Sequence, residues 1–376
     1  MRTSQDSAAL NRALLARQGL LARHRLGVVE AVETIGAVQA QQWSTPPIGL
    51  WSRLSGFDPA DLWAALDAGD LVTGILMRRT LHLVSAAEHP AYARVAVDGG
   101  VGGWLLRGAA PPSRADELLA ATLRWAAGKV RTGEEVTAYV ESWVAAHPGA
   151  LPDEAVAAQR EYDWRPFRAQ PSFVRAPADG RWGARTPSGY RALPAAMADT
   201  GPAWELVVRR HLAAFGPAGA DDVAYWTGAG VKTAKAVLDR LDLETLGEEG
   251  SKRVLYDVPG APRPGGDVEA PVRFLPAFDG ALLAYAANRR ARILPDAYRD
   301  RVYRRANLRW LPTFLVDGVV AGTWSSSVKR GGAVLDVTPF ATLPRATEAM
   351  LSAEAADLIR FLEPAAKTHA ARITSA

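Results

Sequence analysis

Between Asp58 and Val84 the hydrophobic period of the chain changes, and that change restricts the fold more than any other stretch. Asp58 is placed as an N-cap, with Pro59 at the first helical position of Pro59-Ala60-Asp61-Leu62-Trp63-Ala64-Ala65-Leu66. From Leu71 the residues LVTGILMRRTLHLV are rich in β-formers and read as one or two strands. Upstream, residues 7–21 carry Leu10, Leu14, Leu15 and Leu21 at helical spacing, and a second helical pattern covers residues 28–38. It runs directly into Gln39-Ala40-Gln41-Gln42, and Pro46-Pro47 breaks whatever precedes it.

Helices followed by a strand pair are the order of a winged helix, in which the strands form the wing. The middle of the chain repeats the layout. Ser113 opens a helix, Thr132 with Glu135 forms a capping box for the next, and residues 173–175 and 180–183 are candidates for a second wing or an irregular ribbon. Residues 204–215 and 231–241 are helical, with Asp221-Asp222 capping a helix between them and Thr227-Gly228-Ala229-Gly230 as a turn. That is either a helix-turn-helix or an ordinary helical hairpin, and Lys232 and Lys235 favour the former. Beyond Ser251 the texture is β, with Asp317-Gly318 a strong hairpin turn, before a last helix over residues 347–362. The expected fold is α+β: tandem winged-helix units over residues 1–110, 111–200 and 201–250, then a β-barrel-like module with a C-terminal helix over 251–376.

With 376 residues, 48% of them hydrophobic, the chain has enough apolar content for several packed modules. Its apolar runs are too short for a membrane span and its N-terminus lacks a signal-peptide layout, so a soluble cytoplasmic protein is expected, and no membrane partner. The absence of cysteine excludes disulfides, thiol catalysis and thiolate zinc sites. The six histidines are scattered without metal-ligand spacing, so neither metal nor cofactor is expected. A net charge of +4 is compatible with nucleic acid without deciding for it. The basic residues are mostly arginine, which suits phosphate forks and equally reflects a GC-rich genome.

No P-loop, dinucleotide turn or nucleophile elbow is present. Gln39-Ala40-Gln41 stands out instead. On a helix, residues two apart point roughly 200° apart, whereas in an extended segment they share a side. If the helix unwinds before Pro46-Pro47, both amides face one cleft; otherwise they are two solvated glutamines at a helix end. Trp43 beside them reads as core or wedge, core being the plainer reading.

Val38-Gln39-Ala40-Gln41, followed by Arg79-Thr80-Leu81-His82, resembles the winged-helix DNA-binding superfamily of bacterial DNA glycosylases, AlkZ-type. Further matches are His211 to Pro217 (HLAAFGP), Asp222 to Gly228 (DVAYWTG), Leu275 to Asp279 (LPAFD), Val316-Asp317-Gly318 and Gly322-Thr323-Trp324, so the likeness covers most of the chain. Asn288-Arg289 departs from the Asp-Arg expected there. The resemblance implies tandem winged helices wrapped in a C shape around duplex DNA, with a β-barrel toward the C-terminus. It also implies excision of bulky alkylated purines and unhooking of interstrand crosslinks, in DNA repair or in self-resistance to a DNA-alkylating natural product. The family's Gln-x-Gln signature falls on Gln39 and Gln41, which become the catalytic candidates.

An N7- or N3-alkylated purine is cationic and already a good leaving group, so a positioned water suffices; an amide can accept from that water or donate to a phosphate. The nearest lysine in sequence is Lys129, so lyase chemistry is not expected. Candidate DNA contacts are Arg78, Arg79, Thr80 and His82 on the first wing, with Lys329 and Arg330 at a loop tip; a solvated surface charge accounts for each equally well. The partner is then double-stranded DNA met by a monomer at the nucleoid. The rival readings are a non-catalytic winged-helix regulator and a metal-dependent phosphoesterase, the latter short of clustered carboxylates.

Overall fold

The computed structural model describes residues 4–102, 114–193 and 197–374. The expected helix start at Ser113 lies outside them; the helix itself runs Ala115–Ala126. The chain is α+β. A six-stranded sheet has the spatial order Val38–Gln39, Leu81–Ser85, Leu71–Ile75, Phe173–Ala176, Gly189–Ala192, Val130–Thr132, so strands from the first two expected units share it.

The helix preceding the glutamines is Val28–Ile35, three residues shorter than its hydrophobic pattern suggests. Gly36 at φ 76° and Ala37 at φ 56° turn the chain out of the helix. A Cβ on Gly36 would lie 2.7 Å from Ala214 Cβ, so only glycine allows the turn against its neighbour. Pro46 and Pro47 break nothing: they sit in the first turn of a helix, Thr45–Arg53, where their missing N–H groups are not needed. Asp58 caps Pro59–Ala68 by accepting from the Ala60 N–H at 2.8 Å. The Thr132–Glu135 capping box is formed at the start of Gly133–Ala146.

At the centre lies the helix Thr200–Phe215, whose Val207, Val208 and Leu212 have no exposed surface. It packs on Ser7–Arg17, Val28–Ile35 and His89–Asp98. The expected helix pair after it is present as Ala220–Thr227 and Val231–Leu238, joined at Gly228. Asp222 accepts from the Gly219 N–H at 3.0 Å, the capping role expected of it.

The C-terminal β module is an open sheet, which corrects the barrel-like expectation. Its order is Arg273–Leu275, Thr313–Val316, Val319–Lys329, Gly332–Pro339, Thr368–Ile373, and among the described residues neither outer strand pairs on its far side. One apolar face is covered by the helix Arg345–Leu362, where Leu351, Ala355, Leu358 and Ile359 meet Phe314, Leu335 and Val337. Helix-on-sheet burial removes the reason for the sheet to close on itself. Both hairpins turn through paired left-handed residues, Asp317-Gly318 and Arg330-Gly331, as tight two-residue turns require. The strand Val319–Lys329 runs unbroken through residues 325–329 to the hairpin tip that holds Arg330. Among the described residues no helix is long and apolar enough to cross a membrane.

The helix after the glutamines joins the two ends of the chain. Thr45 donates to the Ala277 carbonyl at 2.9 Å, and Arg53 makes a two-pronged pair with Asp279 at 2.7 and 3.0 Å, both side chains 3% exposed. Arg17 and Asp257 form a second buried pair at 2.7 and 2.8 Å.

Candidate active site

Val38–Gln39 is an edge strand antiparallel to Leu81–Ser85, with Gln39 opposite His82. Ala40 extends the pairing, its N–H donating to the Leu81 carbonyl at 2.8 Å. The strand covers Gln39, and the chain bends at Gln41, whose side chain takes the Leu81 N–H at the end of the ladder. Gln39 is 4% exposed while Gln41 is open to solvent. Both reach the same short stretch. Gln39 Oε1 accepts from Arg78 Nη2 at 2.9 Å, and Gln41 Oε1 accepts from the Leu81 N–H at 3.3 Å. A guanidinium and a peptide N–H only donate, so each amide must turn its oxygen inward. Among the described residues neither amide NH₂ has a protein partner.

Arg78 lies in the short turn Met77–Arg79 between the two strands that form the expected first wing. Its φ of 53° and that of Arg79, 58°, are left-handed, which costs roughly 1–2 kcal/mol each for a residue with a Cβ. The turn packs against the helix Ala220–Thr227. His82 is 1% exposed and has both ring nitrogens engaged. Nδ1 sits 2.9 Å from the Thr80 carbonyl and so carries the proton, leaving Nε2 to accept from Arg78 Nη2 at 3.3 Å. Burial first, then the Arg78 charge, pushes His82 down to about 3 against the pull of the Thr80 carbonyl. Burial also lowers Arg78 to about 10, opposed by Tyr225 and reinforced by Arg290, so the guanidinium stays charged at neutral pH.

Arg78 and Arg290 flank one ring, at 6.0 and 5.1 Å from the Tyr225 centroid, and Arg290 Nη2 donates to the phenol oxygen at 2.7 Å. Among the described residues no carboxylate pairs with Arg78, and its Nη1 is buried without a partner. A cation buried without a counter-ion is costly, and an arriving anion would relieve it.

Gln39, Gln41, Arg78 and His82 thus form one hydrogen-bonded group around residues 78–82. Thr80 shares the turn, half-buried with its hydroxyl donating to the Met77 carbonyl at 3.2 Å, and Arg79 beside it is exposed. Lys329 and Arg330 are exposed at the tip of the Val319–Lys329 and Gly332–Pro339 hairpin, on a different sheet. Trp43 is 7% exposed and part of a core, stacked at 5.9 Å on both Trp63 and Trp182. Sequence reasoning missed Tyr225 and Arg290. Tyr225 sits inside the DVAYWTG stretch that carried part of the resemblance, but nothing local ties it to a turn some 150 residues earlier.

Two amides held by their oxygens beside a guanidinium with no carboxylate partner among the described residues form the centre of the candidate site. The AlkZ-like DNA glycosylase model matches residues 32–361, nearly the whole chain. The protein therefore belongs to that family of DNA-binding hydrolases of DNA repair. Its fold is similar to the solved structure of Streptomyces sahachiroi DNA glycosylase AlkZ, with a TM-score of 0.79 at 19% identity, covering 99% of this chain and 100% of that one. No curated protein matches the chain.

Proposed function

We propose that this chain is a monofunctional DNA glycosylase that hydrolyses the N-glycosidic bond of N7- or N3-alkylated purines, with bulky adducts and interstrand crosslinks within its range. It serves DNA repair or self-resistance to a DNA-alkylating natural product, as a monomer at the nucleoid whose tandem winged helices grip the duplex. The observation that carries this reading is the pair of amides held by their oxygens at residues 78 and 81, beside a half-buried guanidinium that has no carboxylate partner among the described residues.

The two amides divide the work. Gln39 is buried and held at 2.9 Å, so its NH₂ is a fixed donor toward a phosphate or sugar oxygen next to the lesion. Gln41 is exposed and held only at 3.3 Å, and the second lone pair of its oxygen can accept from a water. That water attacks C1′ as the glycosidic electrons withdraw into the cationic purine, which leaves neutral; the water's proton passes to solvent. Arg78 and His82 hold Gln39, with the Arg78 charge drawing a phosphate toward the turn, while Arg79, Thr80, Lys329 and Arg330 contact the backbone. Among the described residues no lysine is hydrogen-bonded to Gln39, Gln41, Arg78 or His82, in keeping with hydrolysis without a Schiff base.

The test is release of free base from duplex DNA carrying N7-alkylguanine, and from a crosslinked duplex, by wild type, Gln39→Ala and Gln41→Ala. The wild type is expected to release base, and both variants to bind DNA while losing about 10²-fold or more in rate. A wild type that binds DNA and leaves both substrates intact would make it a binding protein instead.

A further inference from the structure

The residues after Gln41 lead into a groove of about 680 Å³ that no part of the chemistry above uses. Gln42 and Trp43 line it, so it opens about one Cα spacing, some 3.8 Å of chain, from the exposed glutamine. Trp43 and Trp63 form one wall; Trp324 and Phe361 stand on the C-terminal module's side. Ser325, at the root of the hairpin that carries Lys329 and Arg330, completes the rim.

We propose that this groove receives the flat, apolar body of the alkyl group attached to the damaged purine, and so sets which adducts are released; the proposal rests on the glycosylase reading of Gln39 and Gln41. Three features point to that occupant. The groove falls in the 300–1,000 Å³ range of small-molecule sites, far more room than a methyl lesion needs. Four aromatic residues, Trp43, Trp63, Trp324 and Phe361, are among its lining, an apolar surface that suits a planar ring system. They are also fixed in place: Trp43 is stacked on Trp63 and Trp182, and its Nε1 donates to the Gly183 carbonyl at 2.7 Å, while Trp324 Nε1 donates to the Leu275 and Thr313 carbonyls at 3.0 and 3.1 Å. Pre-organised walls lose little freedom on binding.

Continuity decides between a DNA-borne group and a free ligand or protein. The groove is lined by Gln42, next in the chain to Gln41, and by Ser325 and Ser326 on the strand that leads to the Lys329–Arg330 tip, and the reading above gives Gln41 and that tip to DNA. A group covalently fixed to a base at Gln41 is delivered there at high effective concentration, as a free partner is not.

The experiment compares single-turnover release of N7-methylguanine with release of an N7-guanine carrying a polycyclic aromatic alkyl group, each in the same duplex. Ser326→Trp, on the exposed strand lining the groove, fills it; Trp63→Ala removes a half-buried part of one wall. The ratio of bulky to methyl release is expected to fall at least tenfold in Ser326→Trp and about fivefold or more in Trp63→Ala. Tryptophan emission of the wild type is expected to quench with the bulky duplex and not with the methyl duplex. A ratio unchanged in both variants, with no selective quenching, overturns the proposal. So does a purified dimer dispersed by Ser326→Trp, which gives the groove to a second copy. A wild type that releases neither base removes the glycosylase reading itself, an outcome separate from a changed or unchanged ratio.

Discussion

Arg78→Met separates holding Gln39 from holding the fold together. Methionine keeps the length and apolar stem of arginine but removes every donor. Two acceptors lose a partner: Gln39 Oε1, now 2.9 Å from Nη2, and His82 Nε2, at 3.3 Å. A hydrogen bond from a charged donor is worth about 1.5–3 kcal/mol, and stranding a buried acceptor costs about 1–3 kcal/mol. Against that, the variant no longer buries an unpaired guanidinium with an orphaned Nη1, the burial that lowers its pKa to about 10. The opposing terms are of one size, so the thermal midpoint is expected to move by only a few degrees. The rate has no such offset. If the Arg78–Gln39 bond persists in the transition state, its loss is roughly 10- to 150-fold in single-turnover base release, at about 1.4 kcal/mol per tenfold. Release from an N7-methylguanine duplex at saturating enzyme measures this, with DNA affinity determined separately by anisotropy. A rate within twofold of wild type, with the fold intact, would refute the claim that Arg78 positions Gln39.

Base release is expected to be flat between about pH 6 and 9, because His82 is already neutral and Arg78 still charged across that window; an inflection near 6.5 would show that His82 titrates. Stability behaves differently. His82 at about 3, with His89 and His211 at about 4, have folded values below their unfolded ones, so their contribution is complete above about pH 6.5 and is lost as pH falls toward 4. Each is expected to cost about 2 kcal/mol between pH 6.5 and 5, read as a drop in the urea midpoint; a midpoint constant over that range would contradict their burial as neutral rings. Gly36→Ala forces a methyl to 2.7 Å from Ala214 Cβ at φ 76° and should destabilise by roughly 2–3 kcal/mol through left-handed strain plus overpacking; an unchanged thermal midpoint would show that the turn relaxes freely. Lys329→Ala and Arg330→Ala, at exposed positions, are expected to leave the thermal midpoint alone and each to reduce the slope of log K against log salt by about 0.9; an unchanged slope removes the hairpin from the DNA interface.

Much of the fold was legible because it is written locally. Asp58-Pro59 starts a helix, Thr132 and Glu135 cap one, Asp317-Gly318 turns a hairpin, and each needs only neighbours within a few residues. The errors share a cause as well. Pro46-Pro47 reads as a breaker unless one sees that the helix begins there. The Val28–Ile35 helix reads as running to Val38 unless one knows that Ala214 crowds Gly36 from a helix far along the chain. The barrel-like expectation failed because closure depends on what covers the sheet, and the Arg345–Leu362 helix does.

The site divides along the same line. That Gln39 and Gln41 both reach residues 78–82 follows from the strand at Val38–Gln39, which the Gly36-Ala37 turn sets up and the prolines do not. Which end of each amide faces outward could not be read from the motif at all. It depends on meeting two donor-only groups, the Arg78 guanidinium and the Leu81 N–H, across some 40 residues of chain. Had the partner of Gln39 been a carbonyl, its amide would turn over and leave oxygen instead of NH₂ free, and the chemistry open to it would change. Arg78 itself is brought there by a strained turn resting on the Ala220–Thr227 helix and faces Tyr225 and Arg290 from still later in the chain. The residues that carry the motif are therefore local, while the direction in which they act is a property of the whole fold.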